Sequence, residues 1–147
     1  MGDMNLNVLS ILTGKTVTDP AQVIKQGWHG GPPYMTGCLI NTDNVFSICH
    51  GIVIGVGKYE KDGLYSITVE YNYLTWVRYC LLDTYNVSVG DTVELHTKIG
   101  TAHNGVIRFE YCTSKKSDFS VRNLSRQLYK QDPTPVLFGQ ELLSEVF

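Results

Sequence analysis

The chain lacks an excess of charge of either sign, and it lacks a long apolar run. Its 147 residues contain 12 Lys and Arg against 14 Asp and Glu, which gives a formal net charge of -2. Binding to nucleic-acid phosphates requires a basic surplus or a concentrated basic stripe, so nucleic acid is not expected as the main partner. The apolar runs, such as residues 52–54, are only a few residues long, and no membrane-spanning segment is expected.

Signals for secretion and for zinc-ribbon folding are also missing. The first residues, MGDMNLN, have no basic start, apolar core or small-residue cleavage site, so we expect the chain to be made and folded in a cytoplasm. The cysteines form no Cys-x-x-Cys pair, and cytosolic assembly disfavours disulfides, so buried reduced thiols are expected. These cysteines are Cys38, Cys49, Cys80 and Cys112.

Short β-rich runs separated by turn residues fill the middle of the chain, a pattern typical of an all-β sandwich or barrel. Turns are predicted at residues 61–63 and 89–91, because glycine accepts the positive φ that such turns impose. The candidate strands are residues 37–40, 44–48, 50–59, 64–71, 75–81, 92–95, 98–102 and 106–112.

Both ends of the chain differ from this middle part. A capping residue and a proline before residues 21–26 predict a short helix there, and an imperfect helical spacing predicts another over residues 118–131. We therefore expect an N-terminal lead with a short helix (1–36), a β core (37–113) and a C-terminal helix with a docking tail (114–147). The candidate docking residues of this apolar tail are Leu137, Phe138, Leu142, Leu143 and Phe147.

Residues 85–110, YNVSVGDTVELHTKIGTAHNGVIRFE, resemble the closing half of a lysostaphin-type (LytM-like) metallopeptidase domain. The Val-x-Val-Gly-Asp-x-Val turn at 87–93 and the strand ending in Phe109-Glu110 carry this resemblance, which extends over residues 37–137. It implies a lysostaphin-like, duplicated hybrid-motif β-sandwich or barrel with short flanking helical segments. The biotinyl-lipoyl hybrid-motif domain shares this type of turn, but the chain has no modifiable Lys in the required hairpin setting.

The resemblance also implies where a metal site belongs. In that family a His-x-x-x-Asp pair and the second His of a His-x-His pair hold zinc, and two further histidines assist the water and the transition state. The positions that correspond to these residues are Met35, Leu39, Leu81, Val106 and Arg108. None of these side chains is a usual zinc ligand, so neither zinc nor another cofactor is expected. Arg108 is expected to need solvent, a partner chain or an acidic partner such as Glu70 or Glu110.

Other residues offer alternative chemistry. The first alternative is a metal site built from histidine and cysteine side chains. The adjacent Cys49 and His50 are predicted to point to opposite faces of a strand, so they cannot easily bind one ion together. The second alternative is a nucleophile pair of Cys80 and a histidine, but Cys80 is predicted to point away from the groove. His96 is predicted to serve a turn with left-handed backbone instead of catalysis. The tyrosines and tryptophans are read as strand formers, with a carbohydrate-binding strip as the alternative.

Taken with the five altered positions, the resemblance leads us to expect that the chain is not an enzyme. The expected function is a catalytically inactive, peptidase-like structural component of a bacteriophage tail tip, hub or baseplate, assembled in the host cytoplasm. Its expected partners are other tail or baseplate proteins, copies of itself in a ring, and peptidoglycan. Two alternatives stay open: an active peptidoglycan endopeptidase with unusual metal ligands, and a non-cleaving glycan- or peptidoglycan-binding adaptor.

Overall fold

The structure is a computed structural model that describes residues 8–15, 23–27, 35–72, 75–113, 122–123 and 128–131. Within these residues one short helix precedes a series of strands. The elements are α1 (Val8–Thr13), β1 (Val23–Gly27), β2 (Met35–Asn41), β3 (Asn44–Phe46), β4 (Gly51–Lys58), β5 (Tyr65–Asn72), β6 (Thr75–Tyr85), β7 (Thr92–Val93), β8 (Lys98–Ala102), β9 (Val106–Thr113), β10 (Arg122–Asn123) and β11 (Leu128–Gln131).

The strands form one antiparallel sheet in the order β1-β2-β9-β6-β5-β4-β7. Strand β8 pairs with the end of β6 and with β3, while β11 pairs with β9 and with β10. The all-β fold class expected from the sequence is confirmed. The described part of the chain contains no helix with the length and apolarity that a membrane crossing requires.

One face of the sheet carries the hydrophobic core. Along β9, Ile107 and Phe109 are fully buried, and the Phe109 ring lies 5.6 Å from the ring of Tyr79 on β6. The Tyr79 hydroxyl accepts a hydrogen bond from the backbone N–H of Ile48 at 3.2 Å, so its polar end is satisfied in the core. Burial of aromatic side chains of this size is a main source of stability in such a sheet.

The short helix α1 covers part of this core. Leu9 and Leu12 are fully buried in the same cluster as the core strands. Gly14, with a φ of 73°, follows the helix, and its N–H donates to the Ser10 carbonyl at 2.9 Å. Glycine at this position adopts the left-handed conformation that ends a helix.

Two predictions about the flanking segments are wrong. Residues 21–26 were expected to be helical and apart from the sheet, yet β1 (Val23–Gly27) pairs with β2. Where the structure describes residues of the expected 118–131 helix, it has the strands β10 and β11. Pairing with a distant strand outweighs local helix signals in both segments. The division into three regions stays a prediction, and the proposed docking residues lie outside the described residues.

The predictions inside the β core agree with the structure much better. Each of the candidate strands between residues 37 and 112 has a counterpart among β2 to β9, with ends that differ by a few residues. Gly63 and Gly90 have φ values of 74° and 96°, as expected for the two turns. His96 has a φ of 69°, so its predicted role in a left-handed turn is also confirmed.

Candidate functional site

Several residues of β6 and β9 share the sheet face opposite the core, which we call the groove face. Arg78 lies directly opposite Glu110, and Cys80 lies directly opposite Arg108. Directly opposed residues of antiparallel strands project from the same face, and Val106 joins Arg108 and Glu110 through the two-residue period of β9. The groove face therefore comprises Arg78, Cys80, Val106, Arg108 and Glu110.

A buried carboxylate lies between two guanidinium groups on this face. Glu110 Oε2 lies 3.0 Å from Arg108 Nε, and Glu110 Oε1 lies 3.6 Å from Arg78 Nη1. The Glu110 side chain is 4% exposed, against 16% for Arg108 and 30% for Arg78. Reduced access of water strengthens these attractions relative to a surface pair. The prediction that Arg108 needs a partner such as Glu110 is confirmed.

Neighbouring strands hold both guanidinium groups in position. Arg78 Nε donates a hydrogen bond to Thr68 Oγ1 on β5 at 3.0 Å. Arg108 passes directly over Gly37 on β2, where a Cβ atom would lie 2.8 Å from Arg108 Nε. A glycine at this position leaves room for the guanidinium to lie against the backbone of β2. Sequence reasoning did not single out Arg78, Thr68 or Gly37.

Cys80 faces the groove, which corrects the prediction that it points away. Its opposition to Arg108 places it on the groove face, where its thiol is close to the Tyr59 hydroxyl. Burial raises the pKa of the Cys80 thiol to about 12, and the nearby Glu110 carboxylate adds to this rise. Burial and the contact with Cys80 also raise the pKa of Tyr59 to about 12. A thiol that stays protonated at neutral pH is a weak nucleophile.

The structure brings together most of the positions that sequence reasoning assigned to the metal site. Leu39 on β2 lies directly opposite Arg108, and Val106 is two residues before Arg108 on the same strand. Leu81 follows Cys80 on β6 and has a φ of 68°, which is unusual for leucine. Met35 begins β2, four residues before Leu39. The five positions thus lie on the three adjacent strands β2, β9 and β6.

The residues at these positions do not fit a zinc ion. Zinc in proteins is held by imidazole, thiolate or carboxylate groups, whereas these positions supply apolar side chains and one guanidinium. Across the described ranges, no group of three or more His, Cys, Asp and Glu residues is placed to hold a metal ion. Cys80 is buried with its proton retained, and Glu110 is already bound to two cations. The five positions therefore supply no set of zinc ligands.

Two exposed histidines pair with carboxylates away from these residues. His50 Nδ1 lies 2.8 Å from Glu94 Oε2, and His103 Nδ1 lies 2.8 Å from Asp83 Oδ1. Cys49, next to His50, is buried and His50 is exposed, but both lie in the bend before β4 and not on the strand that the sequence predicted for His50. The four cysteines are free and buried, which agrees with the prediction of reduced thiols. Each histidine therefore makes an exposed hydrogen-bonding contact with a carboxylate, of a kind that contributes little to stability.

Comparison with solved structures assigns the fold. The catalytic domain of the antimicrobial peptidase lysostaphin from Staphylococcus simulans matches with a TM-score of 0.56 and 26% identity, over 78% of this chain and 85% of that one. The solution structure of lysostaphin matches with a TM-score of 0.59 and 22% identity over 80% of this chain. A point mutant of the catalytic domain of the prophage-encoded M23 protein EnpA from Enterococcus faecalis matches with a TM-score of 0.51 and 15% identity, over 68% of this chain and 86% of that one.

The fold is therefore lysostaphin-like, as the sequence resemblance implied. The chain spans about half of the lysostaphin solution structure, at 51% of its length. No protein-family model matches the chain, and no curated protein matches it in sequence.

The expectation that the chain is not an enzyme is wrong. The strong structural matches are to lysostaphin-type peptidases, which point to a peptidase family, and no observation demonstrates a loss of activity. The side chains at the five positions do not fit zinc, and this argues only against a zinc site built from those five residues. A fold can host more than one arrangement of reactive groups.

Proposed function

We propose that this chain engages the peptide part of bacterial peptidoglycan on its groove face, as a component of a bacteriophage tail tip, hub or baseplate. The observation that carries the proposal is the charged cluster of Arg78, Arg108 and Glu110 on that face of a lysostaphin-like sheet. The prophage-encoded origin of one matched structure supports the phage setting. Contact between the tail residues 136–147 and neighbouring subunits is part of the proposal, and those residues lie outside the described part of the chain.

The groove face also has an apolar end suited to a peptide. Ile52 on β4 lies opposite Glu70 on β5, which lies opposite Trp76 on β6, so these residues follow the same row of the sheet. Ile52 is 47% exposed, and Ile54 packs with Trp76 and Cys112. Charged and apolar groups on one face offer separate contacts for the backbone and the side chains of an extended peptide.

Sedimentation with insoluble cell walls tests the binding part of this proposal. Intact walls are compared with walls from which an amidase has removed the stem peptides. We expect the protein to sediment with intact walls and to stay in solution with peptide-stripped walls. Ile52→Ser is expected to weaken sedimentation, whereas Val89→Ser, which truncates a 61% exposed side chain in a turn, is the matched control. Equal sedimentation with both kinds of wall would refute the proposal.

Peptide hydrolysis is the second candidate, and the matches to peptidases favour it. The same wall suspensions are assayed for newly released amino groups over time. Release that depends on the added protein, and that is lost with Arg108→Gln but not with Lys98→Gln, would assign cleavage to the groove face. The phage setting is checked separately by mass spectrometry of purified tail particles. Deletion of residues 136–147 should then prevent incorporation into particles while the β core stays folded.

A further inference from the structure

One edge of the sheet is open beside the groove face. On the side of β4 away from β5, β7 pairs only with the first two residues of the strand, and the Val53 N–H donates to the Asp91 carbonyl at 2.9 Å. Among the described residues, no strand pairs with residues 54–58 on that side. Five residues of an extended strand span about 17 Å, so this open edge has the length of an ordinary strand.

The backbone of this edge presents hydrogen-bonding groups to the open side. The Tyr59 N–H donates to the Leu64 carbonyl at 2.9 Å, so the backbone groups of Tyr59 point towards β5. In an antiparallel ladder the direction of these groups alternates from residue to residue, so the N–H and C=O groups of Lys58 and Val56 point to the open side. An added strand would find the same kind of partners there that β5 finds on the other side.

The groove-face side of this edge has a gap in its side chains. Gly55 lies opposite Thr68, which accepts the hydrogen bond from Arg78, so Gly55 belongs to the groove-face side. Gly57 follows two residues later on the same side. Among the described residues, a Cβ atom at Gly55 would meet only Thr68, at 3.7 Å, and at Gly57 it would meet only Ser66 Oγ, at 2.7 Å. Glycine within a strand often marks the close approach of a ligand or of another backbone.

We infer that the open edge of β4 binds an extended segment of another protein as an added antiparallel strand. The segment pairs through its backbone with Val56 and Lys58, and it places large apolar side chains opposite Gly55 and Gly57. Residues 51–57 carry no charge, which fits an apolar segment, and a carboxylate opposite Lys58 matches the charge of that residue. Backbone pairing supplies the affinity in this mode of recognition, and alternate side chains supply the specificity. The edge lies apart from the charged cluster, so this binding goes beyond the proposed function.

A second copy of the chain fits this edge less well than a different protein does. Two β4 strands that paired about Val56 would place Gly55 of one copy opposite Gly57 of the other, and the gap in side chains would stay unfilled. Stable interfaces fill such spaces as closely as protein interiors do. Edge strands are commonly protected by a cover, a bulge or a charge. Here β7 and the bulge after Val53 protect only the beginning of β4, and Lys58 lies at its end.

Calorimetry with the full chain and a synthetic peptide tests this inference. The peptide acetyl-Ser-Glu-Leu-Thr-Leu-Thr-Ser-amide places its Glu opposite Lys58 and its two leucines opposite Gly57 and Gly55. N-methylation of the threonine between the leucines removes the N–H that faces Val56, and we expect it to weaken binding about tenfold. N-methylation of the second leucine, whose N–H points away from the sheet, is the matched control and should leave binding unchanged.

A protein variant and an exchange measurement locate the peptide. Gly55→Leu fills the gap without straining the fold, because a Cβ atom there has ordinary contacts at 3.7 Å and the backbone is outside the left-handed region. It should weaken peptide binding about tenfold or more, since it takes the place of a buried leucine of the peptide. Asn44→Leu adds the same side chain at an exposed position of β3 and should have no effect. Added peptide should slow amide hydrogen exchange at Val56 and Lys58 but not at Val53, which is already hydrogen-bonded.

Several outcomes would overturn the inference. No binding of the unmodified peptide at millimolar concentration, or equal binding of the two N-methylated peptides, excludes strand addition without relying on any protein variant. Binding that leaves exchange at Val56 and Lys58 unchanged would place the peptide elsewhere. A dimer that Lys58→Pro dissociates in sedimentation velocity, together with no peptide binding, would assign the edge to a second copy. Peptide binding at the edge combined with equal sedimentation on both kinds of wall would reject the proposed function alone.

Discussion

Replacing Glu110 with glutamine tests how strongly the protein depends on its buried charge cluster. Glutamine keeps the shape of the side chain but removes its negative charge. Arg108 and Arg78 would then face each other across an uncharged amide, although each now lies within 4 Å of a carboxylate oxygen, at 3.0 and 3.6 Å. Removing one partner of a buried ion pair leaves an uncompensated charge with little access to water.

The expected magnitude follows from the exposure of each group. Breaking a fully buried ion pair costs about 3–5 kcal/mol. Arg78 is 30% exposed and can turn towards solvent, whereas Arg108 is 16% exposed and lies against Gly37. We therefore expect Glu110→Gln to lower the free energy of unfolding by about 3 kcal/mol, near the lower end of that range. This is a large part of the roughly 5–15 kcal/mol that stabilises a typical domain.

Urea denaturation at pH 7.5 measures this change, and Glu94→Gln supplies the control. Glu94 lies 2.8 Å from His50, so it has an equally short contact, but its side chain is 68% exposed. Exposed pairs contribute little, and we expect a change below about 0.5 kcal/mol for Glu94→Gln. If the two substitutions lowered the free energy of unfolding by similar amounts, burial of Glu110 would not determine how much its ion pairs contribute to stability. The double variant Arg108→Met, Glu110→Leu should recover most of the lost stability, because apolar replacement of a buried pair is often neutral.

Three further predictions concern the thiols and the close approach at Gly37. Burial raises the pKa values of Cys49 and Cys80 from 9.0 to about 12, so the native state retains these protons more strongly than the unfolded chain does. The contribution of these protonated thiols to the free energy of unfolding is therefore complete below pH 9 and is lost as the pH rises from 9 to 12. For each thiol, the loss is at most about 1.4 kcal/mol for each pH unit. Urea titrations of the wild-type protein and of Cys80→Ala should show a shallower alkaline decline for the variant. Alkylation of Cys80 by iodoacetamide at pH 8, followed by mass spectrometry, should be about a thousandfold slower in the native protein than in urea, and equal rates would contradict its burial. Gly37→Ala should cost about 1–3 kcal/mol, because its Cβ would lie 2.8 Å from Arg108 Nε, and Arg108→Ala should remove most of that cost.

The β core could be predicted from the sequence because its signals are local. Alternating side chains along β5, β6 and β9, with glycine at the turns, specify strands without knowledge of their partners. The strand β1 was missed because residues 23–27 contain only a weak strand pattern after a helix-capping signal. The backbone of β1 pairs with β2, so its strand conformation depends on the neighbouring strand and not on its own sequence alone.

The candidate site shows the same division between local and non-local information. The alternation of β9 alone places Val106, Arg108 and Glu110 on one face, so the pairing of Arg108 with Glu110 was within reach of the sequence. The contact of the second guanidinium with Glu110 could not be predicted from the sequence, because Arg78 meets Glu110 only through the register of β6 against β9. Gly37 likewise approaches Arg108 only because β2 and β9 are neighbours.

Cys80 was assigned to the wrong face because one residue interrupts the regular pleat of β6. A strict two-residue period would place neighbouring Leu81 and Cys80 on opposite faces, but Leu81 has a φ of 68° and the register shifts between Leu82 and Thr84. The Leu81 carbonyl accepts a hydrogen bond from the His103 N–H at 3.0 Å, so contacts with the β8–β9 connection hold this conformation. Leucine incurs a steric cost in the left-handed region that no local signal reveals. Arg78 and Cys80 lie on the groove face through their regular pairing with β9, and after the irregularity β6 continues to pair with β8.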